Sequence, residues 1–365
     1  MLIDSLARGG AERVAVDVAR SLDPARFAPF FVVTRQGGPL EQTLHDASLP
    51  VTILGRWGKA PPLRMLARAH RLLRDADVIH AHLFTSSVYG AFLSRTTGVP
   101  LVTRDPTWDG RRTIVRTRGY RHVIGPTARV VICPSDRVAR SIETEGVPRE
   151  KLVVITNGVR QDDLLPRAAA RRELGLAAEG PVIGIVATLR VEKAHETLLR
   201  AFARLVDRGR PATLCIVGDG PRRGELEALA TSLGIADHVV WAGDRDDARR
   251  LVPAFDAAVI CSAWEGLPFA ALEVMAGGVP LVATRVGALP DVLADGGGAI
   301  VEVGDHEALA DELETLLADP TRAVEIGAEG ARTIARRYGY DAMVERFVEV
   351  YESVLRRGST RGATE

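Results

Sequence analysis

The sequence predicts an α/β protein of two doubly wound, Rossmann-like domains whose parallel sheets face each other across a cleft. Short aliphatic runs alternate with amphipathic stretches along the chain, which is typical of parallel sheets covered by helices on both faces. The runs form two groups, separated by a segment that contains prolines and glycines. At 365 residues, the chain also exceeds the roughly 250–300 residues that one hydrophobic core supports.

The predicted strands are short and rich in aliphatic residues. They are 30–34, 51–54, 78–82, 101–103 and 130–133, then 153–155, 182–187, 213–217, 238–241, 258–261 and 281–283. Residues 2–5 form a further run of about four residues before a glycine turn, where a central strand normally has about 5–6. We therefore expect a first strand that is truncated at Met1.

Between these runs, apolar residues recur at the spacing of one helix face. The predicted helices include 12–22, 196–207, 307–317 and 340–355. The segment around 164–181 has the proline and glycine content of a linker. We therefore predict a first domain over 1–164 and a second over 165–338. The last helix, within 339–365, is predicted to cross back to the first domain.

Composition argues against several classes of protein. Lys+Arg and Asp+Glu number 47 each, and the resulting net charge of zero argues against nucleic acid as a partner bound through bulk charge. Cys133, Cys215 and Cys261 lie in apolar runs without disulfide or zinc spacing, so we predict that they are buried and reduced. No apolar stretch approaches ~20 residues and no signal peptide is evident, which predicts a cytoplasmic protein.

Two glycine turns follow predicted strands. Gly9 and Gly10, in Arg8-Gly9-Gly10-Ala11-Glu12, precede a helix whose free N–H groups suit a phosphate, although an ordinary strand-to-helix turn fits the spacing equally well. Gly218 begins Gly218-Asp219-Gly220-Pro221, which misses the dinucleotide fingerprint by one residue. We predict a tight loop at the cleft there, not an NAD site.

Charged residues follow two other strands. Arg190 and Lys193 come just after 182–187 and can clamp a diphosphate; cations at a helix start otherwise oppose the helix dipole. Glu265 and Glu273 are eight residues apart, which is ~12 Å along a helix and exceeds the ~5–9.5 Å of a hydrolytic acid/base pair. We predict that they have separate hydrogen-bonding roles on one extended ligand. The apolar neighbours of Glu273 predict that its carboxylate is partly buried.

Taken in order, these motifs are similar to those of the retaining glycosyltransferases of family 4, which have the GT-B fold. The similarity covers nearly the whole chain. It rests on Gly9-Gly10-Ala11-Glu12, Asp77-Val78-Ile79-His80-Ala81-His82, Val154-Ile155-Thr156-Asn157-Gly158-Val159, Glu192-Lys193, Gly218-Asp219-Gly220 and the family's E-x7-E from Glu265 to Glu273.

The resemblance implies that an acceptor hydroxyl attacks the anomeric carbon of a nucleotide-diphosphate sugar with retention. It also implies that the first domain is the acceptor side and that the second binds the nucleotide-sugar. Cations and helix N-termini would stabilise the leaving diphosphate, so neither a cofactor nor a metal is predicted. The implied catalytic residues are Glu265, Arg190, Lys193 and Asp105. The implied donor-binding residues are Gly9, Gly10, Gly218, Gly266, Leu267 and Glu273.

Within this site, Lys193 with Arg190 would hold the diphosphate and Glu273 the ribose, while Glu265 would bind the transferred sugar. The sequence departs from the family at two points. Ala187-Thr188 replaces the usual Gly-Arg pair, and Arg190 is the candidate substitute. The usual histidine after the strand 101–103 is missing, and Asp105 is the nearest polar residue.

Two short patterns could suggest a metal. His80 and His82 lie on one side of a predicted strand, but no third ligand is evident, so they fit the family motif better. The D-x-D patterns at 75–77 and 244–246 lack the context of the glycosyltransferase fold in which that motif binds a metal.

Charge is unevenly distributed along the chain. Residues 104–122 contain six arginines and two aspartates, whereas 291–319 contain nine acidic residues and neither Lys nor Arg. The basic stretch fits a solvated face. It also fits a surface that docks on anionic membrane or on a lipid-diphosphate acceptor, with Trp108 and Tyr120 as amphipathic anchors.

The sequence therefore favours a retaining glycosyltransferase of polysaccharide, glycolipid or cell-envelope glycan synthesis. We expect a sugar or lipid-linked acceptor and a cytoplasmic protein that can associate with the inner face of the membrane. Two alternatives remain open: a sugar-nucleotide epimerase, which would release nucleotide without an acceptor, and a catalytically decayed sugar-nucleotide-binding protein. The sugar, the base and the acceptor are not determined.

Overall fold

A computed structural model describes residues 1–7, 9–55, 63–105, 113–210 and 212–359, with side chains through residue 356. Contacts divide the chain into two compact units, residues 1–157 with 341–365 and residues 158–340. Each unit contains one sheet of parallel strands with helices packed on it, so the predicted class of two parallel-sheet α/β domains is confirmed.

The sheet of the first unit has seven strands. They are β1 (Leu2–Ser5), β2 (Phe31–Gln36), β3 (Val51–Ile53), β4 (Ile79–His82), β5 (Leu101–Arg104), β6 (Val130–Cys133) and β7 (Leu152–Val154). Their order is β3-β2-β1-β4-β5-β6-β7, with every pair parallel. The order reverses between β1 and β4, the position where doubly wound sheets place their ligands.

The sheet of the second unit has six strands. They are β8 (Val182–Val186), β9 (Thr213–Val217), β10 (Val239–Gly243), β11 (Ala257–Ile260), β12 (Leu281–Thr284) and β13 (Gly298–Val301). Their order is β10-β9-β8-β11-β12-β13, again parallel throughout. Here the order reverses between β8 and β11, the two strands whose loops contain the predicted charged residues.

Helices connect the strands of both sheets. In the first unit they are α1 (Gly10–Ser21), α2 (Leu40–Asp46), α3 (Leu63–Leu73), α4 (Phe84–Thr97), α5 (Ile114–Gly119), α6 (Gly125–Thr127) and α7 (Asp136–Thr144). In the second they are α8 (Arg167–Glu173), α9 (His195–Asp207), α10 (Arg223–Ser232), α11 (Ala248–Leu251), α12 (Phe269–Ala276), α13 (Leu289–Leu293), α14 (His306–Ala318) and α15 (Pro320–Arg337). The last helix is α16 (Tyr340–Ser359), and a π-helical turn, Tyr120–Ile124, links α5 to α6.

Aliphatic residues on both faces of each strand form the cores. In the first unit, Ile3 and Val33 pack towards α1, whereas Leu2 and Val131 belong to the cluster on the opposite face. Strands buried on both faces read as continuous aliphatic runs, which explains why they stand out in the sequence. All three cysteines are buried, as predicted, and burial raises the pKa of each thiol to about 12.

The division between the units falls at Asn157, seven residues before the predicted boundary at 164. The backbone N–H of Val159 donates to the carbonyl of Tyr338, and Gln161 donates to the carbonyl of Ala331. These bonds tie residues 158–164 into the second unit, so the proline- and glycine-containing segment is not the boundary. The second unit ends at Tyr340 and not at 338, and α16 packs on the first unit through Phe347 and Tyr351.

No helix within the described residues combines the length and apolarity that a bilayer span requires.

Candidate active site

The predicted charged residues lie on two neighbouring loops of the second unit. β8 ends at Val186 and leads into a 3-10 turn over Val191–Lys193, while β11 ends at Ile260 and leads into the loop before α12. The backbone N–H of Ala263 donates to the carbonyl of Glu192 at 2.8 Å, and the thiol of Cys261 donates to the carbonyl of Lys193 at 3.1 Å. One main-chain hydrogen bond and one thiol hydrogen bond therefore hold the two loops together at the point where the sheet order reverses.

Lys193 and Glu265 form an ion pair across these loops. Lys193 Nζ lies 2.5 Å from Glu265 Oε1, and Ser262 Oγ donates to the same carboxylate oxygen at 2.8 Å. The side chains of Lys193 and Glu265 are 23% and 13% exposed. The ammonium is thus fixed in a partly desolvated position from which it can also reach an anion. Two residues singled out separately in the sequence share one site.

Arg190 lies beside this pair at the start of the 3-10 turn. Its side chain is exposed, and no ion pair joins it to an acidic residue in the part of the chain that the structure describes. By contrast, Arg222 is neutralised by Glu196, at 2.8 Å, and by Glu225, at 2.6 Å. Arg190 is therefore a cation at these loops that remains available to a ligand.

The turn that presents these cations contains a strained residue. Ala194 has φ +47° and ψ +42°, the left-handed conformation that L-residues other than glycine, asparagine and aspartate rarely adopt. His195 follows at the first position of α9 and is fully buried. Burial chiefly lowers the pKa of its imidazole to about 4, so this side chain is neutral at pH 7.

The loop before α12 is held in place by a glycine that sequence reasoning missed. Gly287 has φ +53°, and a Cβ there would lie 2.2 Å from the carbonyl oxygen of Gly266. The neighbouring Ala288 N–H donates to that same carbonyl at 2.8 Å. Only glycine permits this approach, so position 287 determines where Gly266 and Leu267 lie. A glycine after β12 is hard to recognise as functional because its partner is distant in the chain.

Glu273 lies in α12 between buried apolar residues and is 5% exposed, so its predicted burial is confirmed. α12 begins at Phe269, directly after Pro268. The carboxylate is therefore positioned by a rigid helix, whereas Glu265 is positioned by a loop.

The glycines of the third motif have a structural reason. Gly218 has φ +144°, and a Cβ there would lie 2.0 Å from the carbonyl oxygen of Ala187. A Cβ on Gly220 would lie 2.6 Å from the carbonyl oxygen of Leu189. The loop after β9 thus packs its backbone directly against the loop that leads to Arg190. The donor-binding role of Gly218 stays a prediction.

In the first unit, Gly9 directly precedes α1 and Gly10 is its first residue, while Arg8 lies outside the described residues. A Cβ on Gly9 would lie 2.1 Å from Glu12 Oε2, so glycine makes room for this carboxylate. Ser5 Oγ donates to Glu12 at 3.2 Å, and burial is the chief cause of the raised pKa of Glu12. The ligand role of Gly9 and Gly10 also stays a prediction.

Asp105 is fully buried within a network of its own unit. Tyr120 Oη donates to Asp105 Oδ2 at 2.7 Å, and Arg116 lies 3.0 Å from the same oxygen. Arg116 also pairs with the buried Glu145 at 3.3 Å. These contacts give Asp105 a structural role, and its catalytic role stays a prediction. Tyr120, predicted as an amphipathic membrane anchor, is wholly buried, so that prediction is wrong.

His80 and His82 belong to a buried polar cluster that sequence reasoning did not assemble. His80 Nδ1 hydrogen-bonds Tyr351 Oη at 2.8 Å, and the two imidazole rings lie 4.1 Å apart. Arg104, 1% exposed, donates to Asn157 at 2.6 Å. Burial lowers the pKa of both histidines well below its usual value and that of Arg104 to about 10, so only Arg104 is charged at pH 7.

No group of three or more potential metal-ligating side chains is found among the described residues.

Comparison with known proteins identifies the class. Residues 8–163 match the family model "Glycosyltransferase Family 4", and residues 166–333 match "Glycosyl transferases group 1". The chain is 34% identical to a D-inositol 3-phosphate glycosyltransferase of Acidothermus cellulolyticus, covering 97% of this chain and 85% of that protein. A protein of the same name from Thermobispora bispora is 32% identical, covering 77% of this chain and 71% of that protein.

Solved structures agree on the fold. HepE of Anabaena, crystallised with UDP, superposes with a TM-score of 0.85 at 23% identity, covering 96% of this chain and 98% of that chain. Sucrose-phosphate synthase of Thermosynechococcus elongatus superposes with a TM-score of 0.80 at 20% identity, covering 98% of each chain. The fold is the GT-B fold of glycosyltransferases. The chain belongs to glycosyltransferase family 4 and is a glycosyltransferase. This finding favours transfer over the epimerase alternative.

Proposed function

We propose that the protein transfers a sugar from a nucleoside-diphosphate sugar to an acceptor hydroxyl with retention at the anomeric carbon. The observation that carries the proposal is the pairing of Lys193 with Glu265 next to the unpaired Arg190, on loops at the reversal of the second sheet. The printed titles of solved neighbours support it, because HepE was crystallised with UDP and with UDP-glucose.

In this proposal the donor diphosphate lies against Arg190 and Lys193. The acceptor oxygen bonds to the anomeric carbon, and the bond from that carbon to the diphosphate breaks, its electron pair leaving with the phosphate. The two cations stabilise the charge that develops on the leaving group, which is the most effective place for preorganised charge. Glu265 holds Lys193 in position and binds the transferred sugar, and Glu273 binds the ribose. No metal takes part, so a chelator leaves transfer unchanged.

Binding of UDP and GDP, measured by titration calorimetry, tests this site. Lys193→Ala and Glu273→Ala are each expected to weaken the preferred nucleotide by ~10–100-fold, since a hydrogen bond to a charged group contributes about 1.5–3 kcal/mol. Arg200→Ala is the matched control, because Arg200 is an exposed cation on α9 outside the site. Unchanged affinity in both site variants would contradict the assignment.

A thermal-shift panel of nucleotide-sugars then identifies the donor, because a ligand that binds only the folded state raises the melting temperature. With that donor, the anomeric configuration of the product, determined by NMR, tests retention. A product of inverted configuration would refute the proposed stereochemistry, and donor binding without transfer to any acceptor would favour the decayed-enzyme alternative.

We also propose that the acceptor is a sugar or a lipid-linked molecule and that the protein acts in the cytoplasm, where it associates with the inner face of the membrane. The printed name of one relative is consistent with an envelope acceptor: a lipopolysaccharide core biosynthesis glycosyltransferase of Rhizobium meliloti, 30% identical over 61% of this chain and 64% of that protein. The basic stretch 104–122 does not form the membrane surface alone, since Arg104 is buried and Arg116 is partly buried in ion pairs with Asp105 and Glu145. Residues 106–112, with Trp108, lie outside the described residues.

A further inference from the structure

Three helices of the first unit form one layer on the same side of its sheet. The crossovers β3 to β4, β4 to β5 and β5 to β6 all run in the same direction across the sheet, and right-handed crossovers then place α3, α4 and α5 on the same face. Contacts confirm that they are neighbours. A ring nitrogen of His70 on α3 lies 3.2 Å from the carbonyl of Thr96 on α4, and the rings of Phe84 and Tyr120 lie 5.6 Å apart.

The helices α3, α4 and α5 are basic and contain no acidic residue, whereas α7 on the same face contains Asp136 and Glu143. No aspartate or glutamate occurs in α3, α4, α5, the π-helical turn or α6. Six exposed arginines lie on this layer: Arg64, Arg68, Arg71, Arg95, Arg118 and Arg121. Over the described ranges, no ion pair joins any of the six to an acidic side chain. The six positive charges are therefore not neutralised locally.

Large apolar side chains are exposed among these arginines. Leu63 at the start of α3 is 84% exposed, and Ile114 and Val115 at the start of α5 are 71% and 73% exposed. Phe92 on α4 is half exposed and lies three residues from Arg95, on the same helix face. We call these four residues and the six arginines the arginine face.

We propose that the arginine face docks the first unit on an anionic lipid bilayer. The proposal deepens the proposed membrane association, on which it rests, and is independent of the donor site. A bilayer surface has a negative potential that attracts the arginines, and its apolar interface can bury Leu63, Ile114 and Val115. A nucleic acid offers phosphates but gains nothing from exposed aliphatic side chains, so the observations favour the bilayer.

Co-sedimentation of the full chain with vesicles tests the proposal. One set contains 30% phosphatidylglycerol in phosphatidylcholine, and the other contains phosphatidylcholine alone. We expect binding to the anionic vesicles only, with a steep loss as salt rises, since the Debye length shortens from ~8 Å at 0.15 M to ~3 Å at 1 M. The triple variant R64Q/R68Q/R118Q is expected to lose ~100-fold in affinity, a factor of about five for each arginine removed.

The matched control is R200Q/R322Q/R332Q, which removes the same charge from exposed positions of the second unit and should retain binding. I114S/V115S keeps every arginine, and its affinity for anionic vesicles should fall ~10-fold at low salt, because it removes only apolar contact. Exposed positions tolerate polar substitution, and circular dichroism verifies that each variant is folded.

Three outcomes would overturn the proposal. In the first, the unaltered chain does not bind anionic vesicles at low salt. In the second, R64Q/R68Q/R118Q and R200Q/R322Q/R332Q lose equal vesicle affinity. In the third, the chain binds duplex DNA more tightly than vesicles and I114S/V115S has no effect. Failure here is distinguishable from failure of the donor site, because nucleotide binding by R64Q/R68Q/R118Q is expected to be unchanged in every case.

Discussion

The two units treat surface charge in opposite ways. In the second unit, five of the nine acidic residues in the stretch 291–319 form ion pairs with arginines from other segments. These five are Asp295, Glu302, Glu307, Asp311 and Glu314. In the first unit, the six arginines of the arginine face have no such partners among the described residues. The net charge of zero is therefore the sum of an excess of positive charge in the first unit and an equal excess of negative charge in the second.

The units also differ in where they bury charge. The first unit buries Asp105 and Glu145 around Arg116, whereas the second unit buries Arg171 against the partly exposed Asp256 and leaves most of its other ion pairs exposed. Removing one partner of a buried pair leaves an unpaired charge in the interior, while an exposed pair contributes little. The difference teaches that breaking the buried pairs of Arg116 should cost more stability than breaking the exposed pairs of the second unit.

The largest effect is expected for Arg116→Ala in the first unit. It leaves Asp105 and Glu145 buried without their common cation and should lower the free energy of unfolding by about 3–5 kcal/mol. Arg208→Ala breaks exposed pairs in the second unit and should cost under about 1 kcal/mol. Urea unfolding of both variants measures the contrast, and equal losses would remove it.

A second effect concerns acid. The unfolded chain protonates His195 at its ordinary pKa of about 6.5, but the folded chain does so only near 4. The unfolded state therefore binds more protons, and the free energy of unfolding should fall as pH drops from about 6.5 to about 4, by on the order of 3 kcal/mol from this group. Burial also lowers the pKa of His80 and of His82 in the first unit, so these two groups likewise reduce the free energy of unfolding as the pH drops.

Urea unfolding at pH 7, 5.5 and 4.5 checks this dependence. His195→Gln should flatten the pH dependence of the second unit, whereas His238→Gln, at an exposed position, should leave it unchanged. A slope in His195→Gln that is as steep as in the unaltered chain would refute the assignment to His195, since His80 and His82 account only for a residual slope.

A smaller effect is expected for Gly287→Ala. The added Cβ would meet the carbonyl oxygen of Gly266 and displace the loop that holds Glu265, so the rate of sugar transfer should fall by ~10–100-fold with little change in the first unit. Gly304→Ala is a suitable control, because Gly304 also has positive φ but nothing within 4 Å of its added Cβ. Equal rates in the two variants would show that close packing at Gly287 is not required.

Elements with a strong local signal could be predicted. The strand predicted at 182–187 is observed as β8 at Val182–Val186, and the helix predicted at 196–207 is observed as α9 at His195–Asp207. β13 and α15 were not predicted. β13 begins at Gly298, where a Cβ would lie 1.8 Å from the carbonyl oxygen of Leu281. In α15, a Cβ on Gly327 would lie 1.9 Å from the carbonyl oxygen of Gly278. These glycines permit close backbone packing, which local propensity does not reveal.

By itself, the sequence determined the parallel α/β class, the strand–loop–helix positions of the charged motifs and the family. These follow from periodicity and short motifs, which are properties of neighbouring residues. Only the tertiary structure decided that Lys193 meets Glu265, 72 residues away, that Asp105 and Tyr120 are interior, and that six arginines share one face. Pairing and burial depend on strand order, because strand order brings distant segments together, and no local pattern records that order.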